Sequence, residues 1–511
     1  MHPSQQAASQ PDTPAVIMAD TGEQLTYREL DALSNRIANW FRSLGLAPRD
    51  HIAILLENCI EYMPIVWAAQ RSGLVYTAIS THLLHEEVAY IVANSRSRLL
   101  ITSDRFADLA ASVREASPQL EFAAMLRANT DAFDDFEAVI AAHPETPIAD
   151  EEAGVQMLYS SGTTGRPKGV LSLRPSGTPI DEILPMPLAL VSAFGIGGGT
   201  VYLSPAPLYH AAPLTFCTVA QALGATIVIM PKFDPELALA SIERFSVTHS
   251  QWVPIMFVRM LKLPEDVRAG YDLSSLQVAI HAAAPCPVDI KQRMIEWWGP
   301  RLAEYYASTE GAGFTAIDSA NWLTHKGSVG QPVNCQIHIV DDDGKPAPTG
   351  EVGTVYFSGN PQKFEYFDEP EKTAQSYLGD WATVGDVGYV DDEGFLYLTD
   401  RKHYMIISGG VNIYPQEVED LLVSHDQVAD AAVFGLPDPE FGERVHAVVQ
   451  PLEGMTDGEA LEAELIGYLR ERLSHIKVPR SIDFDAALPR HDNGKLYKRR
   501  LVERYKAAAP G

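Results

Sequence analysis

Ser160-Ser161-Gly162-Thr163-Thr164-Gly165-Arg166-Pro167-Lys168-Gly169, preceded by the apolar run Val155-Gln156-Met157-Leu158-Tyr159, reads as a strand feeding a loop that holds phosphate. Gly162, Gly165 and Gly169 let the backbone turn tightly and approach a ligand, because no Cβ stands in the way. The hydroxyls of Ser160, Ser161, Thr163 and Thr164 supply hydrogen-bond donors, and Lys168 supplies a compact positive charge. The spacing departs from G-x-x-x-x-G-K-[ST], since Pro167 precedes the lysine and no hydroxyl comes after Gly169. A Ser/Thr/Gly cluster between strands also serves as an ordinary loop, so the reading turns on the downstream segments.

Four such segments occur in order. Glu304-Tyr305-Tyr306-Ala307-Ser308-Thr309-Glu310 joins aromatic faces that suit a purine to a carboxylate that suits a hard cation. Alone it reads equally as a strand end with a surface acid. Trp381-Ala382-Thr383-Val384-Gly385-Asp386-Val387-Gly388-Tyr389 presents a carboxylate shaped to accept from two hydroxyls, or simply a turn before the hairpin at Asp391-Asp392-Glu393-Gly394. Leu398-Thr399-Asp400-Arg401-Lys402 leads into Ile407-Ser408-Gly409-Gly410-Val411-Asn412-Ile413-Tyr414-Pro415-Gln416-Glu417, whose end is a helix start with proline in the first turn. Last comes Leu488-Pro489-Arg490-His491-Asp492-Asn493-Gly494-Lys495-Leu496-Tyr497, an Asn-Gly turn leading to a lysine.

Together these segments resemble the signature of the adenylate-forming superfamily, which contains acyl-CoA synthetases, aryl-CoA ligases, luciferases and peptide-synthetase adenylation domains. The resemblance runs from about residue 12 to 505. It implies that Ser160 to Gly165 and Lys168 hold the phosphates of ATP, and that Thr164 and Glu310 hold Mg²⁺. Tyr306 would stack on adenine and Thr309 would contact the α-phosphate, with Ala283, Ala284, Pro285, Tyr305, Ala307 and Ser308 completing the cofactor-binding set. Asp386 would accept from the ribose hydroxyls, and Leu398 and Arg401 would lie against the nucleotide. Asp400 to His403 would contain a hinge. Ser408, Gly409 and Gly410 would swing in for a second half-reaction, with Gly409 leaving room for the pantetheine of coenzyme A. Lys495 would bridge the substrate carboxylate and the α-phosphate as charge builds during adenylation.

The implied fold is α/β: a large N-terminal domain, 1–400, of layered and mostly parallel sheets with a β-rich subdomain, and a small mobile α+β domain, 401–511. The residues agree. At 511 residues the chain exceeds the size at which one core stops growing. Thr26-Tyr27-Arg28-Glu29 opens an amphipathic helix, and His51 to Leu56, Leu99 to Thr102, Ala225 to Met230 and Leu276 to Ile280 read as buried strands between helices. Turn-rich segments between about 335 and 400 suggest the β-rich part. Val428 to Gly435 and His446 to Gln450 read as strands, and Asp457 to Leu473 as a helix.

Composition narrows the partners. With 39 Lys and Arg against 67 Asp and Glu, the formal charge is −28, which disfavours nucleic acid and anionic membrane. Arg490 to Lys506 inverts that balance, which suits anionic ATP and CoA and equally suits a solvated helix face. Cys59, Cys217, Cys286 and Cys335 form no C-x-x-C, as expected of reduced thiols in a cytoplasmic protein. Met1 to Pro14 is polar, so no signal peptide is expected. Ile183 to Pro231 lacks Asp, Glu, Lys and Arg but is broken by prolines and glycines, and it reads as core and substrate pocket, not a membrane span. A homodimer is the commonest arrangement for a soluble enzyme.

The acid is read from Pro207-Leu208-Tyr209-His210-Ala211-Ala212-Pro213-Leu214, which resembles the family segment that gates the acyl site and makes His210 a candidate carboxylate neighbour; a lone His among apolar residues is also a structural hydrogen bonder. No Asp stands from Pro205 to Gly224 to pair an α-amine, which argues against an amino acid. His281-Ala282-Ala283-Ala284-Pro285 puts methyl groups where many relatives have glycines. The expected substrate is an apolar acid, whether medium- or long-chain fatty, aryl, or cyclic and steroidal, joined to CoA. Rival readings are a ligase that loads a carrier protein and a non-catalytic regulator that binds nucleotide or acyl-CoA. Two departures stand out: Leu171-Ser172-Leu173-Arg174 replaces the Thr-His-x-Asn of many relatives, and Ile407 stands where some carry a lysine.

Overall fold

The strand Val155–Ser160 turns back on Lys168–Leu171 as an antiparallel pair in which Ser160 stands opposite Lys168, so both ends of the phosphate-loop sequence meet on one ladder. The computed structural model describes residues 1–511 except 129, 161–166, 173, 361–362, 402–405, 409–410, 439–440, 456, 491–495, 497 and 509–511, and for 160, 400, 401, 407, 412, 499 and 506–508 it describes the backbone alone. Ser161, Gly162, Thr163, Thr164, Gly165, Gly409, Gly410 and Lys495 therefore lie outside the described residues, as do the side chains of Ser160 and Arg401.

That hairpin lies towards one edge of an eight-stranded sheet, with Val75–Ala78, His51–Leu55, Leu99–Ser103 and Phe122–Leu126 running parallel beyond it. A nine-stranded sheet is built on parallel strands Pro14–Met18, Thr226–Ile229, Val201–Ser204, His249–Trp252, Val278–His281 and Leu302–Ala307. Apart from His249–Trp252, these strands are largely apolar, as strands covered on both faces tend to be. Helices Tyr27–Ser43, Tyr62–Arg71 and Ala211–Ala222 join the two sheets in one apolar core. The first begins with a capping box in which the Thr26 side chain accepts from the Glu29 N–H and Glu29 accepts from the Thr26 N–H, satisfying two donors that the helix cannot.

A third, six-stranded sheet occupies 336–401, and a five-stranded sheet with helices Pro415–Ser424, Glu459–Arg470 and Lys498–Ala508 forms the C-terminal part. This is the layered α/β architecture expected. The C-terminal part touches the rest through specific contacts: Arg500 donates to Glu87 at 3.2 Å, and Lys262 donates to the carbonyl of Val428. Burial brings the Lys262 ammonium down to about 8. Among the described residues no helix is long and apolar enough to cross a membrane, and the four cysteines are unpaired.

Candidate active site

The C-terminal ends of the parallel strands and the C-terminal part enclose a cavity of about 1490 Å³. Single small-molecule sites usually occupy roughly 300–1,000 Å³. There is room here for more than one ligand.

The strand Leu302–Ala307 delivers the central group. Tyr306, Ala307, Ser308, Thr309 and Glu310 border the cavity as the strand gives way to a turn. The Tyr306 hydroxyl donates to Oδ2 of Asp386 at 2.5 Å, and its ring lies 6.0 Å from that of Phe357. Asp386 begins the strand Asp386–Val390, which pairs with Leu396–Arg401 and so brings Leu398 to the same wall.

Next to this group, Ala283, Ala284 and Pro285 form a ledge after the strand Val278–His281, which pairs in parallel with Leu302–Ala307. Ala283 adopts φ 74°, a left-handed conformation that costs a residue bearing a Cβ about 1–3 kcal/mol. Strain of this kind survives where the surroundings fix the chain, and here it shapes a cavity wall.

Lys168 also reaches the cavity, with its ammonium 4.8 Å from the centroid of Tyr366. The Tyr366 hydroxyl donates to Oε1 of Glu310 at 2.9 Å. Burial and neighbouring Lys372 hold Lys168 below the usual lysine range, against the opposing pull of Glu310 and Glu369. Tyr366 thus ties the phosphate-loop strand to the acid expected to face a cation. The sequence offered no motif for it; its signal is structural, because the two-residue strand Glu365–Tyr366 pairs with Val170 and Leu171.

Glu310 is a hard oxygen donor whose first oxygen is engaged by Tyr366. Among the described residues no group of three or more His, Cys, Asp or Glu could hold a metal. A lone carboxylate fits an ion such as Mg²⁺ that travels with nucleotide phosphates and takes only one or two ligands from protein.

His210 is the N-cap residue of helix Ala211–Ala222; it borders the cavity and packs edge-on against Tyr209 at 4.6 Å. Tyr305 also reaches the cavity, but its ring packs into an aromatic cluster and its hydroxyl accepts from Gln251 at 2.9 Å. Ser408 is buried on the hairpin Ile406–Ser408 and Val411–Ile413, away from the cavity wall.

Three ionisable groups to which the sequence reading gives no role cluster beside the ledge. Lys291 donates to Oε2 of Glu304, and Nε2 of His281 lies 3.6 Å from the same oxygen. All three are buried. Burial pushes the Glu304 carboxyl up against the pull of Lys291, and it drives His281 well down, leaving that imidazole neutral.

Three described cations of the basic stretch near the C-terminus are paired locally. Arg490 pairs with Asp430, Lys498 with Glu419 at 2.8 Å, and Arg504 with Asp485 at 2.8 Å. Arg490 and Leu496, the described residues flanking the expected lysine turn, pair with each other and both border the cavity.

Two family models match the chain: AMP-binding enzyme over residues 4–365 and AMP-binding enzyme C-terminal domain over residues 417–495. A feruloyl-CoA synthase of an Amycolatopsis species is 33% identical over 490 residues, covering 95% of this chain and 94% of that one. The long-chain-fatty-acid–CoA ligase FadD13 of Mycobacterium tuberculosis is 30% identical, with 99% and 98% covered. A fatty acid–[acyl-carrier-protein] ligase, ScoC, of Streptomyces coeruleorubidus is 30% identical, with 98% and 95% covered. The crystal structure of the anthranilate CoA ligase AuaEII in complex with anthranoyl-AMP superposes with a TM-score of 0.86 at 25% identity, covering 99% of this chain and 96% of that one.

Proposed function

The chain belongs to the AMP-binding enzyme family, and we propose that it is an AMP-forming carboxylic acid–CoA ligase acting on an apolar acid. The observation that carries this reading is the convergence on one cavity of Lys168, Tyr306, Glu310 and Asp386, which are far apart in sequence, with His210 on a neighbouring wall.

In the first half-reaction a carboxylate oxygen attacks the α-phosphorus of ATP, forming the acyl–O–P bond as the bond to pyrophosphate breaks. Lys168 and the Ser160 to Gly165 loop hold the phosphates. Tyr306 lies against adenine, Asp386 accepts from the ribose, and Thr309 contacts the α-phosphate. Mg²⁺, when bound through Glu310 and Thr164, neutralises phosphate charge. Lys495 meets the charge that develops between carboxylate and phosphorus. In the second half-reaction the sulfur of CoA attacks the acyl carbonyl, the C–O bond to AMP breaks, and the thiol proton is released. Rotation about Asp400 to His403 would exchange the Lys495 turn for the segment at Ser408 to Gly410, so domains 1–400 and 401–511 act as separate bodies.

Supply of ATP, Mg²⁺ and an apolar acid should release pyrophosphate, and CoA should convert the bound product to acyl-CoA and AMP. A second reading, transfer to a carrier protein, draws support from the similarity to the carrier-loading relative. Acyl-CoA formed by the purified protein alone decides for CoA; pyrophosphate release without any CoA thioester decides for the carrier.

A further inference from the structure

The cavity is also lined by residues to which no nucleotide role is assigned. Gln156 on one strand, Met186 and Leu190 on helix Pro185–Ser192, and Thr215 on helix Ala211–Ala222 border it beside His210. Tyr305 borders it as well.

Tyr305 packs against buried aromatic rings. Phe216 is stacked on its ring at 5.6 Å with an interplanar angle of 26°, Phe194 lies at 6.0 Å, and Tyr202 is stacked on Phe216 at 6.1 Å. These three rings are buried, and none of them borders the cavity. The Tyr305 hydroxyl is held as well: Gln251 Nε2 donates to it at 2.9 Å, and Gln251 Oε1 accepts from the Tyr202 hydroxyl at 3.3 Å. Swinging Tyr305 aside would leave buried polar groups unpaired and drive its ring into a close-packed interior. The lining also carries a polar pair, in which Gln156 Nε2 donates to Thr215 Oγ1 at 3.0 Å. That pair retains a hydroxyl hydrogen and an amide oxygen with which to meet a ligand.

We propose that Tyr305 is the fixed back wall of the acyl compartment, and that it restricts the enzyme to compact carboxylic acids, such as substituted aryl acids, whose polar substituent is met by the Gln156–Thr215 pair. Tyr305 is thereby a specificity-determining residue on the acyl side, whereas its neighbour Tyr306 serves the nucleotide. Adjacent residues of a strand point to opposite faces, which is how one strand supplies both walls. The proposal rests on the ligase reading above.

The test measures acyl-CoA formation by the full chain with straight-chain acids from butanoate to hexadecanoate, with benzoate and cinnamate, and with their hydroxylated forms. For the native protein, kcat/KM should favour a hydroxylated aryl acid over hexadecanoate by ~100-fold or more, and Thr215→Val should cut the preference for hydroxylated over unsubstituted rings by ~10-fold. Tyr305→Ala should raise kcat/KM for hexadecanoate by ~10-fold or more. Native turnover of hexadecanoate within about tenfold of the best compact acid overturns the proposal even if Tyr305→Ala fails to fold. So does a folded Tyr305→Ala protein with an unchanged acid profile. Either result leaves the ligase reading standing. Absence of acyl-CoA from every acid would instead remove that reading, and the proposal with it.

Discussion

The hydroxyl of Tyr306 donates a 2.5 Å hydrogen bond to the Asp386 carboxylate, joining the end of one sheet to the start of a strand in another. A bond to a charged acceptor is worth about 1.5–3 kcal/mol. It fixes the carboxylate assigned to ribose at the distance set by the ring assigned to adenine. Tyr306→Phe should therefore raise KM for ATP by about tenfold, equivalent to about 1.4 kcal/mol, with a smaller effect on kcat. Asp386→Asn should raise it further, and the double variant should fall short of the summed effects. Strictly additive changes in a steady-state double-mutant cycle would show that the bond does not couple the two residues.

Lys168 titrates below an ordinary lysine because burial and Lys372 disfavour its charged form. The phosphate-binding form is the protonated one, so it is lost as pH rises through that depressed value. kcat/KM for ATP should fall on the alkaline side before normal lysines titrate, and Lys168→Arg, whose guanidinium stays charged, should displace or abolish that limb. Superimposable alkaline limbs in the two pH profiles would assign the titration to another group.

Lys291 and Glu304 are a buried ion pair, with the ammonium 4.8 Å from the centroid of the Trp322 ring. Lys291→Met strands a buried carboxyl and should cost about 3–5 kcal/mol. The double variant Lys291→Met/Glu304→Leu should recover most of that loss, because a charge pair in a packed interior adds little over an apolar one. Scanning calorimetry of the three proteins checks this; equal losses in the single and double variants would contradict it.

The ledge residue Ala283 makes an opposite prediction. An alanine replaced by glycine usually loses stability through the unfolded chain, but at φ 74° the glycine also removes strain. Ala283→Gly should unfold at or above the native temperature, whereas Ala283→Val should unfold several degrees lower. A clear loss in the glycine variant would mean that this conformation carries no strain.

How far the sequence could be read depended on whether the signal was local. The helix at Tyr27 was legible because Thr26 and Glu29 cap it within four residues, and the buried strands were legible as apolar runs between helices. Helix Pro185–Ser192 was hidden, since its two early prolines read as breaks; yet proline is tolerated where the first-turn N–H has no helical partner, and this helix forms a wall of the cavity. Tyr306 and Asp386 carried motif signals. Tyr366 did not, and the Lys291–Glu304–His281 group joins a helix to two strands. Such contacts depend on which strands become neighbours, a property of the whole topology.

If one active site runs both half-reactions, an acyl-adenylate must stand between them. The decisive experiment mixes excess protein with ATP, Mg²⁺ and a compact aryl acid, removes free acid, adds CoA, and monitors each species by mass spectrometry. Acyl-adenylate should accumulate first and then be replaced by equal amounts of acyl-CoA and AMP, whereas Lys495→Ala should fail to form the adenylate from acid and ATP yet still convert supplied acyl-adenylate. Acyl-CoA formed with release of ADP and phosphate, and with no adenylate at any time, would contradict a two-step, AMP-forming ligase.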